Sequence, residues 1–425
     1  MLDIRLLREK PDYVRERLNA RQPGLGDQVD AVLAIDAERR RFETELQKLN
    51  AERNRLSKAI GALRARKEPS GELEAQVRAF GEQIAALNVE VTTTDERQRA
   101  RLLILPNLPY PAAPVGADAS ANPVVRVWGE PPRYPFTPSD HVEIAGRLKL
   151  IDFERATKLS GTGFVFFHGL GARLQRALIQ FLLDLHTVQH GYTEVSPPYL
   201  VRRDCMIGTG QLPKFEEDAY ATEDSQLFLI PTAEVPVTNL HREETLSAGE
   251  LPKRFVAHTP CFRREAGSAG KDTRGMIRVH QFDKVELVKI TTPETSFAEL
   301  EKMTADAERV LQLLGLHYRV IELCTGDIGF AASKTYDLEV WAPGQNRFLE
   351  VSSCSNCEDF QARRMNLKFK DAEGKNRFCH TLNGSGTALA RLYVALLETY
   401  QQADGSVIIP EPLRDYVRAK EIRAA

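Results

Sequence analysis

The sequence predicts an α+β chain: an N-terminal antiparallel coiled-coil helical arm, then a larger domain with a largely antiparallel sheet and helices at its edges and on one face. Three observations carry this. Apolar residues recur at alternating spacings of four and three over residues 35–63 and again over 73–91. A proline-dense stretch follows. Beyond it come short β-rich runs, two of them joined too closely for a helical crossover.

The first run reads Ile35, Arg39, Phe42, Leu46, Leu49, Arg53, Leu56, Ile60 and Leu63, a heptad seam interrupted by two arginines. After Arg66, Lys67, Glu68, Pro69, Ser70 and Gly71 the spacing resumes as Leu73, Val77, Phe80, Ile84, Leu87 and Val91. Pro69-Ser70-Gly71 ends one helix before the next begins, so the two fold back on each other. At ~1.5 Å of rise per residue, a hairpin over about residues 29–100 would extend roughly 50 Å. That is too long and narrow for a globular core, and it should project as an arm. Near its tip Arg53, Arg55, Lys58, Arg64, Arg66 and Lys67 have no acid between them, whereas Glu38, Glu43, Glu45 and Glu52 alternate with basic residues nearer the base. A charge run on a helix is commonly just a solvated face. An unbalanced basic cluster on a rod also suits nucleic-acid phosphates through counterion release, which makes these six residues candidate nucleic-acid contacts.

The N-terminal domain is set at residues 1–105. Pro106, Pro109, Pro111, Pro114, Pro123, Pro131, Pro132 and Pro135 make 106–135 too rich in proline for helix or interior strand, and it reads as a linker. Residues 136–425 form the second domain. There 174–188 reads as an amphipathic helix, and β-rich runs follow at 227–230, 285–290, 318–323, 336–341 and 348–352. The last two are joined by Ala342-Pro343-Gly344-Gln345-Asn346, which forces a hairpin.

A chain of 425 residues with net charge −2 has no global pull on nucleic acid or membrane, so RNA binding needs a local patch. Asp3, Arg5 and Arg8 stand where a secretory leader needs an apolar run, and six cysteines are thinly spread. Both features predict a soluble protein of the reducing cytoplasm. No stretch approaches the ~20 apolar residues needed to span a membrane.

Two glycine signals exclude more than they assign. Gly169-Leu170-Gly171 lacks the third glycine and the context of a dinucleotide fingerprint, and reads as a helix start. Gly267-Ser268-Ala269-Gly270-Lys271-Asp272-Thr273 has too few residues between its glycines for a phosphate loop, and Asp272 stands where Ser or Thr must hold magnesium. Cys354, Cys357, Cys379 and His380 mimic a zinc knuckle, but adjacent Cys379 and His380 cannot easily share one tetrahedral ion. Small buried cysteines are the expectation, with no zinc. His258, His280 and His380 show no sign of a nucleophilic triad.

The run Thr259-Pro260-Cys261-Phe262-Arg263-Arg264-Glu265-Ala266-Gly267 opens from a strand-like segment into a charged, glycine-rich loop that ends at Arg278-Val279-His280-Gln281-Phe282. It resembles motif 2 of the class II aminoacyl-tRNA synthetases, whose core is Phe-Arg-x-Glu followed by a mobile loop. Asn383-Gly384-Ser385-Gly386-Thr387-Ala388-Leu389-Ala390-Arg391 resembles motif 3, and residues 174–191 with Tyr192, Val195, Pro197 and Pro198 resemble motif 1. Thr232-Ala233-Glu234, His280-Gln281-Phe282-Asp283-Lys284-Val285-Glu286 and Thr381-Leu382-Asn383-Gly384-Ser385-Gly386 are similar to strings of the seryl-tRNA synthetases in particular. With the hairpin, the resemblance spans essentially the whole chain.

The resemblance implies a class II synthetase domain that uses ATP and Mg²⁺ to attach L-serine to tRNA(Ser) through a seryl-adenylate, and that also serylates tRNA(Sec). It implies a homodimer formed through motif 1. Catalysis would fall to Arg263, Glu350 and Arg391. Arg263 would hold the α-phosphate and the serine carboxylate, Arg391 the γ-phosphate. Glu265 would accept from the adenine amino group and Phe282 stack on the adenine, with Arg264, Val351 and Ser352 completing the ATP site. Glu350 and Ser353 would hold Mg²⁺. Thr232, Ala233, Glu234, Arg263, Glu286, Asn383 and Ser385 would line the serine pocket. The residue types suit these tasks, since a guanidinium offers phosphate a planar fork and a polar pocket rejects alanine by leaving its own groups unpaired. In the family the hairpin contacts the long variable arm of the tRNA, which fits shape and backbone reading. Two other readings stand beside this one. A ligase of the same fold that loads a carrier protein would lack the long hairpin. An inactive RNA-binding scaffold would have no use for Arg263, Glu265, Glu350 and Arg391.

Overall fold

The computed structural model describes residues 1–266 and 274–424, so the glycine-rich stretch 267–273 lies outside the described residues. The chain divides into two compact units, Leu2–Pro106 and a larger one comprising Met1 and Asn107–Ala425. Among the described residues no helix is long and apolar enough to cross a membrane.

In the smaller unit α1 (Gln28–Ala65) and α2 (Gly71–Ile104) pack along each other. The heptad positions Ile35, Leu56, Ile60 and Ile84 are buried, as the seam requires. Arg39 is tolerated within it because its guanidinium reaches Glu43 at 2.9 Å and Asp95 of α2 at 3.7 Å. Toward the base the seam turns polar. Buried Asp36 accepts from Gln98 Nε2 at 2.9 Å and pairs with Arg8 at 3.1 Å. Such a pair fixes register, since a slip would bury both groups unsatisfied. At the turn Lys67 adopts φ 59° and Glu68 N–H bonds to Leu63 C=O at 2.9 Å, a left-handed cap that satisfies the end of α1.

The tip differs in one respect from the sequence reading. Arg55 pairs with Glu52, and Arg64 reaches Glu74 of α2 at 2.8 Å. Arg53 is half-buried on the seam, whereas Lys58, Arg66 and Lys67 are exposed and form no ion pair among the described residues. A stretch without acids in sequence is still neutralised in part. The helix brings a carboxylate from one turn back, and the second helix brings another.

The larger unit is built on eight strands: β1 (Val124–Trp128), β2 (Thr193–Glu194), β3 (Lys253–Phe262), β4 (Gln281–Thr291), β5 (Tyr318–Glu322), β6 (Lys334–Ala342), β7 (Arg347–Asn356) and β8 (His380–Ala388). Their spatial order is β1-β5-β6-β7-β8-β4-β3-β2, and every pair is antiparallel except β2 with β3. The expected hairpin is β6–β7. Around the sheet lie α3 (His141–Arg147), α4 (Leu170–Asp184), α5 (Ser296–Leu313) and α6 (Leu389–Thr399). Helix α4 buries Leu174, Ala177, Leu178, Phe181 and Leu182, spaced by three and four on one stripe, then runs into a π-helical turn, Leu185–Gln189. Leucines and valines of α4, α5 and α6 join Val285, Leu287, Leu338, Val340, Leu349 and Val351 in one apolar cluster. On β4 the odd-numbered Val285 and Leu287 enter that cluster, which turns Lys284 and Glu286 the other way.

Two expectations need correction. The proline-rich stretch is more than a linker: it donates edge strand β1 to the sheet, with Trp128 stacked on Tyr318 at 5.8 Å. Asn107 N–H bonds to Phe330 C=O at 2.9 Å and Tyr110 N–H to Ser333 C=O at 2.8 Å, tying the segment down. Proline forbids a central strand but not an edge strand lying between Pro123 and Pro131. The run at 227–230 is a strand, Leu227–Leu229, but it pairs with Leu200–Arg202 in a small separate sheet. Conversely, β8 is a long central strand that glycine and polar content disguised, and β3 extends well before the strand-like segment at Thr259.

Candidate active site

The side of the sheet that carries Lys284 and Glu286 opens into a cavity of ≈ 360 Å³, walled by β4, β7, β8, the start of α6 and the segment 277–279. Backbone irregularities shape it. Register shifts fall between Glu350 and Ser352 on β7 and between Ser385 and Thr387 on β8, both beside cavity residues. A bulge re-aims side chains that strict alternation would send elsewhere.

One end is polar and acidic. Lys284 Nζ donates to Thr232 Oγ1 at 2.8 Å and pairs with Glu286, whose Oε2 lies 3.1 Å from the same hydroxyl. Glu234 accepts from Gln361 Nε2 at 2.7 Å and from Asn383 Nδ2 at 3.0 Å. Burial, with Glu286 adding repulsion, pushes the Glu234 carboxyl up to about 7. Ser385 Oγ is buried beside these groups without a hydrogen-bond partner. It has one bond to offer a guest.

The other end is cationic and aromatic. The Arg263 guanidinium sits 5.1 Å from the Phe282 ring centroid, and its Nε donates to Pro231 C=O at 3.3 Å. Arg391 donates to Glu350 C=O at 2.8 Å and to Ile277 C=O at 3.2 Å, while its guanidinium lies 3.4 Å from the Glu350 carboxylate. Glu265 pairs with Arg278. Val351, Ser352 and Ser353 complete this wall.

The fold therefore gathers nearly all the residues predicted for the ATP and serine sites into one cavity. Two stand outside it. Arg264 is exposed, because successive residues of extended backbone point to opposite sides and Arg263 already points inward. Ala233 is fully buried among Val237, Ala257 and Val288 and lies beneath the pocket rather than in its lining. Sequence reasoning missed Lys284, Arg278 and Gln211, which also line the cavity. Period two along β4 places Lys284 on the face of Glu286 and could have found it; nothing local singles out Gln211.

Magnesium, which the fold family implies, can be tested against the donors. Glu350 and Ser353 are hard oxygen donors on the cavity wall, the chemistry this ion takes. Across the ladder Asp337 pairs in register with Ser353. Its Oδ1 is buried without a partner, and burial beside Glu350 holds this carboxyl well above the usual range. A divalent cation there would offset that repulsion and favour the ionised carboxylates. The cysteines are dispersed: Cys354 packs in the main core and Cys379 in a separate cluster with Leu246 and Phe369, and burial pushes both thiols up to about 12. Among the described residues no group of three or more His, Cys, Asp or Glu is arranged to hold a metal.

Residues 1–109 match the family model "Seryl-tRNA synthetase N-terminal domain" and residues 214–400 match "tRNA synthetase class II core domain (G, H, P, S and T)". The chain is 59% identical over 423 residues to a serine–tRNA ligase of Akkermansia muciniphila, covering 100% of this chain and 99% of the relative. The chain belongs to the seryl-tRNA synthetases, the serine–tRNA ligases of class II. Solved members of the family superpose over its whole length. The seryl-tRNA synthetase of Pyrococcus horikoshii, complexed with ATP, gives a TM-score of 0.94 at 40% identity and covers 100% of both chains. The cytoplasmic serine–tRNA ligase of Naegleria fowleri, in complex with AMP, gives 0.88 at 29% identity with 100% and 99% covered.

In this synthetase the buried Lys284 and Glu286 depend on each other, being 8% and 2% exposed. Replacing Lys284 with Met should strip Glu286 of its countercharge and destabilise the larger unit by about 3–5 kcal/mol. Denaturant unfolding monitored by tryptophan fluorescence measures it, and a loss below about 1 kcal/mol would contradict the assigned pairing.

Proposed function

We propose that the cavity activates L-serine with ATP and passes the seryl group to the 3′-terminal hydroxyl of tRNA(Ser), and by the same route of tRNA(Sec). The observation that carries this reading is the division of one cavity into a carboxylate-and-hydroxyl end, at Thr232, Glu234, Glu286 and Ser385, and a guanidinium end, at Arg263 and Arg391. An amino acid with an ammonium and a hydroxyl suits the first, and a triphosphate the second.

In the first step a serine carboxylate oxygen bonds to the α-phosphorus while the bond from that phosphorus to the β-bridging oxygen breaks. Seryl-adenylate forms and pyrophosphate leaves with the electron pair. In the second, the tRNA hydroxyl oxygen bonds to the seryl carbonyl carbon while the bond from that carbon to the phosphate oxygen breaks; AMP leaves with the electron pair and the hydroxyl proton is released. No protein nucleophile is required, so the residues act by orientation and charge. Arg263, braced by Pro231 C=O and the Phe282 ring, holds the α-phosphate and the serine carboxylate. Arg391 meets the γ-phosphate, Glu265 accepts from the adenine amino group, Phe282 stacks on the base, and Val351 and Ser352 flank it. Glu350 and Ser353 would hold Mg²⁺, which neutralises phosphate charge. Glu234 takes the serine ammonium, and Ser385 Oγ, Thr232, Glu286 and Asn383 complete the pocket. The exposed Arg264 is left with no direct role here. No zinc enters this reading.

The same reading makes the enzyme a homodimer of the cytoplasm, joined through the motif 1 segment. Val188 within it, and Tyr199 and Leu200 just beyond it, are 81%, 41% and 45% exposed, apolar surface that a second copy would cover. Residues 1–105 hold the tRNA. Lys58, Arg66 and Lys67 supply unpaired charge at the hairpin tip, and Arg53, Arg55 and Arg64 supplement it.

Three outcomes test the proposal. Arg263→Ala should cut serine-dependent ATP–pyrophosphate exchange by about 100-fold or more, the usual cost of removing a charge-stabilising donor, and near-normal exchange would sink the assignment. Because Glu234 is lifted to about 7, it is protonated, and its charge lost, as pH falls through that value. Hence kcat/KM for serine should decline below about pH 7 with a one-proton slope, and Glu234→Gln should abolish that limb. A profile for Glu234→Gln that matches the unmodified enzyme would remove Glu234 from the pocket chemistry. Finally, replacing residues 47–84 with a short Gly-Ser turn should abolish tRNA charging while exchange continues. Normal charging by the folded variant would falsify the role of the arm.

A further inference from the structure

Glu398 is completely buried on α6, seven residues and about two turns beyond Arg391. Its carboxylate accepts from His141 N–H at 2.9 Å, His141 Nδ1 at 3.1 Å and Gln345 Nε2 at 3.1 Å, and also from Gly344 N–H at 2.9 Å and Gln345 N–H at 3.2 Å. Five donors surround one acceptor-only group. Gln345 Nε2 also lies 3.4 Å from His141 Nδ1, but Glu398 is the acceptor it can use, because Nδ1 itself donates. The tautomer follows from the far side of the ring, where Met276 N–H donates to His141 Nε2 at 3.3 Å. That nitrogen must be the bare one, which leaves the proton on Nδ1 facing Glu398.

Met276 stands at the return leg of the motif 2 loop, immediately before three residues that wall the cavity. Ile277 C=O holds Arg391 Nε, and Arg278 holds Glu265. Helix α6 thus grips the same short segment twice, directly through Arg391 and indirectly through Glu398 and His141. Neighbouring contacts press the segment onto α3. Arg274 pairs with Asp140 at 3.0 Å, and Gly275, at φ 71°, lies so close that a Cβ there would fall 2.0 Å from His141 Nε2 and 2.7 Å from Val142 Cγ2. Only glycine fits there without displacing the imidazole.

We infer that His141, oriented by Glu398, is a positioning residue for ATP. Its Nε2 accepts the Met276 amide, fixing the backbone that aims Arg391 and Arg278 into the cavity. It touches no substrate, and the serine end, built on Thr232, Glu234 and Glu286, is independent of it. The inference rests on the proposed two-substrate reading of the cavity and divides it: this latch serves one substrate only.

The test is serine-dependent ATP–pyrophosphate exchange, with active sites counted by the adenylate burst so that misfolded protein does not enter the rate. His141→Ala should raise KM for ATP about fivefold or more, the scale of one lost hydrogen bond, and leave KM for serine within about twofold. His141→Gln should restore KM for ATP, because its side-chain carbonyl can accept where Nε2 did. Should His141→Ala not fold, Gly275→Ala breaks the same bond from the loop side and should produce the same ATP-specific rise. An unchanged KM for ATP in the folded variants, or an equal rise in both KM values, overturns the inference alone. No serine-dependent exchange by the unmodified chain overturns the reading beneath it, and the inference falls with that reading.

Discussion

Strand β4 sets the constraint on which the larger unit depends. It lies between β3 and β8, and all but its first three residues are buried. A strand covered on both faces is ordinarily apolar throughout, yet β4 carries Lys284, Glu286 and Lys289 among its buried residues. Its odd face supplies Val285 and Leu287 to the helical core, so the even face cannot turn inward without exposing them. Register is therefore fixed by the core, and the chemistry on the other face comes with it. Lys289 makes the same point at a distance from the cavity. It is paired with buried Glu299 of α5 at 2.9 Å and pins that helix to the strand.

Most charged groups in the cavity are balanced by an ion pair, and Arg263 is braced instead by Pro231 C=O and the Phe282 ring. Lys284 offsets Glu286, Arg391 offsets Glu350, and Arg278 offsets Glu265. One carboxyl group in the cavity and one behind its wall break the pattern. Burial raises Glu234 into the neutral range and holds Asp337, across the ladder from Ser353, well above the usual carboxylate range, so each sits where a cationic guest would be stabilised. The serine ammonium and a divalent ion are the two cations that the proposed chemistry brings. The cavity's unmet electrostatic needs thus coincide with the charges of its proposed substrates.

How much of this was legible in the sequence depended on whether the signal was local. The hairpin was readable because a heptad seam repeats along both of its helices; its polar extension, Asp36 with Gln98, was not, since hydrophobic periodicity is blind to a hydrogen-bonded pair. The β6–β7 hairpin followed from a short connection. Strand β8 was hidden behind Asn383, Gly384, Ser385 and Gly386, a composition that reads as loop. Glycine belongs there because Gly384 faces Met303 and Cys354, and Gly386 faces His186, at distances where a Cβ would collide. The cavity residues came mainly from motif resemblance, which names conserved strings but not orientations. Hence Arg264 and Ala233 were carried along with neighbours that do point inward, while Lys284 was passed over. The partial neutralisation of the hairpin tip was hidden for the complementary reason, because Glu74, the counterion of Arg64, belongs to the other helix.

The motif 2 segment shows why orientation, rather than inventory, limits such a site. Rigid strands place side chains more accurately than loops do, and Arg263 stands one residue past the end of β3. Glu265 must face the same cavity two residues further on, where no strand remains to direct it. It does so with φ 53°, a left-handed backbone that costs a non-glycine residue roughly 1 kcal/mol. The conformation is held from both sides: Arg278 takes the carboxylate, and Ala266 N–H bonds to Asp218 Oδ1 at 2.9 Å. A surface glutamate after a strand would relax out of this geometry. Paired with Arg278, the carboxylate is presented at the cavity wall, where the proposed function places the adenine amino group.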